Sequence, residues 1–294
     1  MLKTLADNVA LITGAGSGIG RGLAEALAAQ GMRLVVADIN EATLAETSAA
    51  LTEANVAHIA APLDIRDAAA WQDLLQRAER ELGPVQFLGN MAGVTVMPTP
   101  ALELSDEAFS WVVDINLKGT WNGASVVARR LKALGLPGHI VNTSSVQGLI
   151  STYGFTAYSA SKHAIMGLSE TLRIELAEHD IGVSVLCPGP TRGNILNNSR
   201  AIAPDLVKEG KLFAKTGFSH FQTPREVADK VVAAVLRNQL YILTHPEYRP
   251  LLEARWGVLD TALGQEMNPD AAANVCEVEE GGLVCYREAV RDYS

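Results

Sequence analysis

Short, continuous apolar runs alternate with longer amphipathic stretches along most of the chain. Val9–Thr13, Arg33–Ala37, His58–Leu63, Val85–Asn90, Gly138–Thr143, Gly182–Leu186 and Leu240–Leu243 each read as a strand. The runs are continuous rather than alternating, as expected of strands buried on both faces. Helices are predicted from about Ile19 to Gln30, with Gly31 as C-cap, and over Glu41–Ala54, Ala68–Leu82, Ser105–Leu134 and Tyr158–His179. A further helix runs to about Arg237. Its start is clearly marked: Thr223 is the N-cap, Pro224 opens the first turn, and Glu226 completes a capping box. Regular alternation of strand and helix predicts an α/β fold. The sheet is one doubly wound, seven-stranded parallel sheet with right-handed crossovers, in a single domain.

Two stretches break this rhythm. Between Pro190 and Gln222 the pattern weakens around Gly193, Pro204, Gly210 and Gly217, which reads as a functional loop or lid. From His245 onward the chain leaves the strand–helix repeat. Leu251–Leu263 reads as a helix and Asn268–Ala273 as a break. The chain therefore divides into residues 1–245, including a substrate loop at 193–222, and an extension at 246–294.

Composition narrows the function. The chain has 294 residues, 48% hydrophobic and 19% charged, enough apolar material for a core and too much for a disordered chain. The net charge of −9 speaks against sequence-independent nucleic-acid binding, which needs basic surface. Three cysteines, Cys187, Cys276 and Cys285, make no disulfide framework, and a reducing cytoplasm is the simplest expectation. Six scattered histidines lack metal-ligand spacing, so no metal is expected. No apolar run reaches the roughly 18 residues of a membrane span. The N-terminus has no signal-peptide apolar region, and the chain is expected to be unprocessed.

Chemistry begins in the first turn. Thr13-Gly14-Ala15-Gly16-Ser17-Gly18-Ile19-Gly20 links the first strand to the first helix. Glycines there let the backbone approach a ligand, and the helix N-terminus offers free N–H groups to a pyrophosphate. Asp38 ends the second strand, placed to accept hydrogen bonds from ribose hydroxyls and to repel a 2′-phosphate. Neither Ala15 nor Ile39 supplies a cation for NADP. Tyr158 and Lys162 stand four residues apart on one helix face. An ammonium beside a phenol lowers its pKa and suits it to exchange a proton with an alcohol or ketone. Tyr153 has only Ala157 at that offset. Ser144 and Ser145 close the fifth strand, where ligands of open α/β sheets bind.

Thr13-Gly14-x-x-x-Gly18-x-Gly20, Asn90-Met91-Ala92-Gly93, Asn116, Ser145, Tyr158-x-x-x-Lys162 and Pro188-Gly189 occur in this order. Together they resemble the short-chain dehydrogenase/reductase family over about residues 5 to 245. The resemblance implies a Rossmann fold and a catalytic set of Asn116, Ser145, Tyr158 and Lys162. Tyr158 would be the acid/base, and Lys162 would lower its pKa and hold the nicotinamide ribose. Ser145, thirteen residues before Tyr158, would orient the substrate oxygen. Asn116 would hold a water in a proton relay. NAD would lie on Gly14, Ser17, Gly18, Ile19, Gly20, Asp38, Asp64, Ile65, Asn90, Ala92, Gly93, Tyr158, Lys162, Pro188, Gly189 and Thr191.

Met91 and Gly193 depart from the family pattern. The first bears on strand packing, and the second puts one cofactor contact in doubt. The partner implied is a small-molecule secondary alcohol or ketone. It is expected to be bulky or aromatic, because Ile195, Leu196, Leu206, Leu212, Phe213, Phe218 and Phe221 populate the loop. Tyr153 and Phe155 are further candidates for the pocket. The tail is similar to extensions in bacterial members acting on bulky aryl or alicyclic alcohols, including lignin-derived aryl ether Cα-dehydrogenases. A homodimer or homotetramer through the two long helices is also implied. The alternatives are an NADP-dependent carbonyl reductase and a dinucleotide-binding regulator without turnover.

Overall fold

The computed structural model describes residues 2–193, 195–207 and 221–264. The strands are β1 (Val9–Thr13), β2 (Arg33–Asp38), β3 (His58–Pro62), β4 (Val85–Asn90), β5 (Gly138–Thr143), β6 (Ile181–Cys187) and β7 (Tyr241–Leu243). They form one sheet in the order β3-β2-β1-β4-β5-β6-β7, and every pairing is parallel. Helices follow the strands: α1 (Gly18–Ala29), α2 (Glu41–Glu53), α3 (Ala68–Glu81), α4 (Asp106–Val113), α5 (Thr120–Leu134), α6 (Thr156–Leu176), α7 (Ile195–Ile202), α8 (Pro224–Leu236) and α9 (Arg249–Leu263).

The pleat explains the two layers. Leu11, Leu88, Ile140 and Val183 point to one face, where Trp71 of α3, Val112 of α4, Val127 of α5 and Leu172 of α6 cover them. Ala10, Ile12, Phe87 and Val141 point to the other, against Leu23 of α1, Leu44 of α2 and Val231 of α8. Burial on both faces is why the strands read as unbroken apolar runs. Strand order reverses between β1 and β4, which opens a crevice at the carboxyl ends of the strands. Among the described residues no helix is long and apolar enough to cross a membrane, and no cluster of three metal-ligating side chains occurs.

Three elements differ from the sequence expectation. The helix expected at Ser105–Leu134 is divided: α4 and α5 are joined by a π-helical turn, Asp114–Gly119. Such a wide turn carries one extra residue and marks functional places in helices. Here it turns Asn116 fully inward. Gly119 is required at its end, since a Cβ there would lie 2.5 Å from Ile65 Cδ1. Second, the segment expected to be a loop contains α7. Third, α6 starts at Thr156, two residues before Tyr158. The expectations at Gly210, Leu212, Phe213, Gly217, Phe218, 268–273, Cys276 and Cys285 lie outside the described residues.

His139 in β5 is a polar residue in this core. Its Nε2 faces the Ser184 hydroxyl at 2.7 Å, and Ser184 bonds the Gln239 carbonyl. Burial, helped by the nearby positive charge of Arg173, pushes the imidazole down to about 3. The unfolded chain therefore binds a proton there between about pH 6.5 and 3 that the fold does not, so this site removes stability as pH falls through that window. Acid unfolding of His139→Gln is expected to begin at lower pH than in wild type, followed by circular dichroism. An unchanged acid midpoint would exclude His139 as its source.

Candidate active site

At the head of the crevice, β1 passes through the glycine-rich turn into α1. Gly14 adopts φ +63°, and a Cβ there would lie 2.8 Å from the Ala92 backbone. A Cβ on Gly20 would lie 2.1 Å from the Gly14 carbonyl oxygen, so only glycine permits this closure. Gly18, at φ +52°, has nothing within 4 Å of where its Cβ would stand. Thr13 locks the neighbouring strand: its hydroxyl oxygen accepts from Met91 N (3.1 Å) and Ala92 N (3.2 Å).

The α1 N-terminus differs from those of α2, α3, α4 and α8. Those helices are capped by the side chains of Asn40, Asp67, Ser105 and Thr223. The side chain of Ser17 caps nothing at α1, and no acidic residue lies in its first turn. The Ser17 hydroxyl instead accepts from Asn198 Nδ2 on α7 at 2.9 Å. Orphan N–H groups and the positive end of the helix dipole thus face the crevice, a fit for a phosphate group. At the adjacent strand end, Asp38 is fixed by backbone donors: Oδ2 accepts from Gly16 N and Oδ1 from Asn40 N, both at 2.9 Å. These features suit a dinucleotide, with phosphates on the turn and a ribose beside Asp38.

A cavity of about 600 Å³ extends from this turn across the carboxyl ends of the strands. Of the expected residues, Gly14, Ser17, Gly18, Ile19, Gly20, Asp38, Asp64, Ile65, Ala92, Gly93, Ser145, Tyr158, Lys162, Pro188, Gly189 and Thr191 line it. Asn90 and Asn116 are not in its wall. The Asn90 amide is buried in the sheet and donates to Asn142 Oδ1 (2.9 Å) and the Thr120 carbonyl (3.2 Å). Asn116 accepts from Val94 N (2.8 Å) and donates to Val94 O (3.0 Å) and Ser161 Oγ (3.1 Å). Both of its amide protons therefore have protein partners, and its side chain ties the loop after β4 to α6. Asp64 pairs with Arg66 at 2.6 Å, which holds its carboxyl below the usual range.

Ser144 and Ser145 diverge. Ser144 donates to the Lys162 carbonyl at 2.7 Å and is buried. Ser145 accepts from Gln147 N at 3.2 Å, and its hydroxyl lies near enough to the Tyr158 phenol to draw its pKa down. Lys162 reaches under Tyr158: its Nζ lies 5.5 Å from the ring centroid and donates to Thr143 O at 2.8 Å. Burial pushes the Tyr158 phenol above its ordinary value, and the opposing pull of Ser145 is smaller. The ammonium sits over the ring face and bonds the Thr143 carbonyl. Lys162 is itself pushed down to about 8 by desolvation.

Other wall residues had no distinctive signal in the sequence. Gln147 and Ile150 follow Ser145, and Gln147 Oε1 accepts from the Ser159 hydroxyl at 2.9 Å. α7 spans the crevice: Asn198 reaches the glycine-rich turn, and Ser199 Oγ accepts from Thr95 N at 3.0 Å. From the loop, Ile195 and Ile202 line the cavity, Leu196 and Leu206 pack on the core, and Phe221 is exposed. Phe155 lines the cavity, whereas Tyr153 is exposed and outside it. The described part of the tail covers the cavity through Tyr248 and Leu251. It is pinned there by Arg255, which bonds the Leu149 carbonyl and faces His163 Nε2 at 3.0 Å.

Comparison with known proteins agrees with this geometry. A family model described as short chain dehydrogenase matches residues 8–203. The C alpha-dehydrogenase of a Sphingobium species is 31% identical over 280 residues, spanning 92% of each chain. The CLA biosynthesis dehydrogenase/reductase of Lactiplantibacillus plantarum is 31% identical, covering 86% of this chain and 93% of that one. A short chain dehydrogenase/reductase from Burkholderia phymatum, solved in complex with NAD, superposes with a TM-score of 0.81. It is 33% identical over 92% of this chain and 99% of its own. The chain thus aligns with these relatives nearly end to end, its family model covers residues 8–203, and it belongs to the short chain dehydrogenase family.

Proposed function

We propose that this oxidoreductase uses NAD to interconvert a secondary alcohol and a ketone on a bulky or aromatic skeleton. The observation that carries the reading is that Ser145, Tyr158 and Lys162 share one cavity with an uncapped helix terminus and a backbone-anchored Asp38. The turn Gly14–Gly20 would hold the pyrophosphate, Asp38 the adenosine ribose, and Lys162 with Pro188, Gly189 and Thr191 the nicotinamide half. When bound, the nicotinamide supplies the acceptor or donor of hydride. Ser145 fixes the substrate oxygen, and Tyr158 takes its proton in oxidation or returns it in reduction. Lys162 holds positive charge beside the phenol, and Asn116 fixes the loop after β4 against α6. Ile150, Phe155, Ile195, Ile202, Tyr248 and Leu251 supply an apolar end suited to a ring or long chain. The dehydrogenase relatives above support this reading, as does the NAD complex among the similar structures.

The direct test is nicotinamide absorbance with NAD+ and NADP+ over aliphatic, alicyclic and aryl secondary alcohols. Turnover with NAD+ on the larger alcohols is expected. Silence across the panel with NADH still binding would favour a sensing role. Cofactor choice has its own test. Asp38→Ala removes the charge that opposes a 2′-phosphate, and is expected to raise the NADP-to-NAD ratio of kcat/KM by about tenfold, equivalent to about 1.4 kcal/mol. If the ratio does not rise, Asp38 is not what selects the cofactor.

A further inference from the structure

His245 lies two residues beyond β7 and outside the segment matched by the family model. It is buried, and its polar contacts converge on the loop after β6. Gly189 N donates to Nδ1 at 3.0 Å, and the Thr244 hydroxyl faces the same nitrogen at 2.7 Å. Nε2 faces the Pro190 carbonyl at 3.1 Å. A carbonyl only accepts, so Nε2 carries the proton, while Nδ1 receives an amide N–H and carries none. This neutral tautomer serves both loop contacts, with the Thr244 hydroxyl sharing the one lone pair of Nδ1. The loop backbone also rests on the ring: a Cβ on Gly189 would lie 2.7 Å from His245 Cγ.

The far side of the loop is held by the catalytic serine's own segment. Val146 N donates to the Pro188 carbonyl at 3.0 Å, and Ser145 Oγ approaches the same oxygen at 3.5 Å. Pro188, Gly189 and Pro190 are therefore clamped between Ser145–Val146 and His245. The carbonyl that His245 engages does a second job. Pro190 O also accepts from Gln222 N at 3.2 Å, and Arg192 N donates to Gln222 O at 2.8 Å. The two ends of the loop that runs from Arg192 to Gln222 thus meet at the atom held by His245. Gln222 Nε2 reinforces the junction by donating to Thr244 O at 2.6 Å.

We propose that His245 is a positioning residue for the nicotinamide half of the site. It acts through Gly189 and Pro190, and it fixes in one contact both the cofactor-facing loop and the closed stem of the substrate loop. This rests on the functional reading above, in which Pro188, Gly189 and Thr191 take the nicotinamide. His245 touches no reacting atom, so its loss weakens dinucleotide binding and leaves the chemical step intact.

The test compares the full-length wild type with H245F and H245N by NADH fluorescence titration and steady-state kinetics. Phenylalanine keeps a ring beneath Gly189 and removes both nitrogens. Asparagine returns an acceptor near Nδ1 for the Gly189 N–H. H245F is expected to weaken NADH binding about tenfold, as small misplacements of binding groups do, with kcat at saturating cofactor within about threefold of wild type. H245N is expected to recover much of that affinity. The proposal is overturned if H245F binds NADH within about twofold of wild type, if kcat falls while affinity holds, or if H245N is no better than H245F. Should H245F fail to fold, H245Q takes its place: its amide can reach the Pro190 carbonyl from the position of Nε2 but leaves Gly189 N without its acceptor, so NADH binding weaker than that of H245N is expected. A wild-type chain that binds neither NADH nor NADPH would instead overturn the functional reading itself.

Discussion

Tyr158→Phe is expected to lower kcat by roughly 10²–10⁴-fold, the usual weight of general acid–base catalysis, while dinucleotide affinity stays near wild type. The substitution removes one oxygen and keeps the ring. The ring contacts therefore survive: Phe155 at 6.3 Å edge to face, and Lys162 Nζ at 5.5 Å from the centroid. What is lost is the proton-exchanging hydroxyl beside Ser145. Single-turnover rates with the best alcohol from the panel, beside an NADH titration, measure the two effects separately. A variant within tenfold of wild type in kcat would remove Tyr158 from the proton path. The direction of the phenol's shift sharpens the expectation. Burial keeps Tyr158 protonated in the free chain, so the group is ready to donate to a ketone, and alcohol oxidation is expected to rise with pH.

Lys162→Met is expected to abolish activity by a comparable factor and to change how stability depends on pH. Desolvation lowers the folded-state value from 10.5 to about 8. Between those values the unfolded chain binds a proton at Lys162 that the folded chain does not. The sign follows from linkage: stability contributed at this site rises with pH through that window, by up to about 3 kcal/mol, and below about pH 8 the full desolvation cost remains. Methionine carries no such charge. It leaves the Thr143 carbonyl without its Lys162 donor, a cost of about 1–3 kcal/mol that is independent of pH. The stability of the variant relative to wild type is therefore highest at or below pH 8 and falls toward pH 10.5. Urea melts of both proteins across that range measure the difference, in which titrations common to both cancel; that of Cys187, coupled to Lys162 and pushed up by burial to about 12, lies above the window. A constant difference would mean that Lys162 does not titrate there.

The sheet was legible because burial on both faces leaves unbroken apolar runs, as in Leu34-Val35-Val36. The glycine-rich turn was legible because its glycines answer steric demands that no other residue meets, as Gly20 against the Gly14 carbonyl shows. Capping was readable where side chain and spacing coincide, at Thr223 and Glu226. The π-helical turn at Asp114–Gly119 was not, because one extra residue in a helix leaves the residue types unchanged and only rotates those that follow. α7 was hidden by the glycine and proline around it, and its roles fall to Asn198 and Ser199, ordinary helix-surface residues until their partners are seen. The path of the Lys162 side chain was also out of reach. Helix periodicity places Lys162 on the same face but does not say that its ammonium turns to the Thr143 carbonyl.

The N-terminus of α1, left without the side-chain cap that α2, α3, α4 and α8 possess, has a consequence for the life of the chain in a cell. Its bare donors are completed only by something that arrives from outside. A ligand that binds only the folded form, present at a hundred times its dissociation constant, adds about 2.7 kcal/mol of stability. Proteases act on the opened chain, so its half-life should track the supply of nucleotide: long where the pool is full, short where it is depleted.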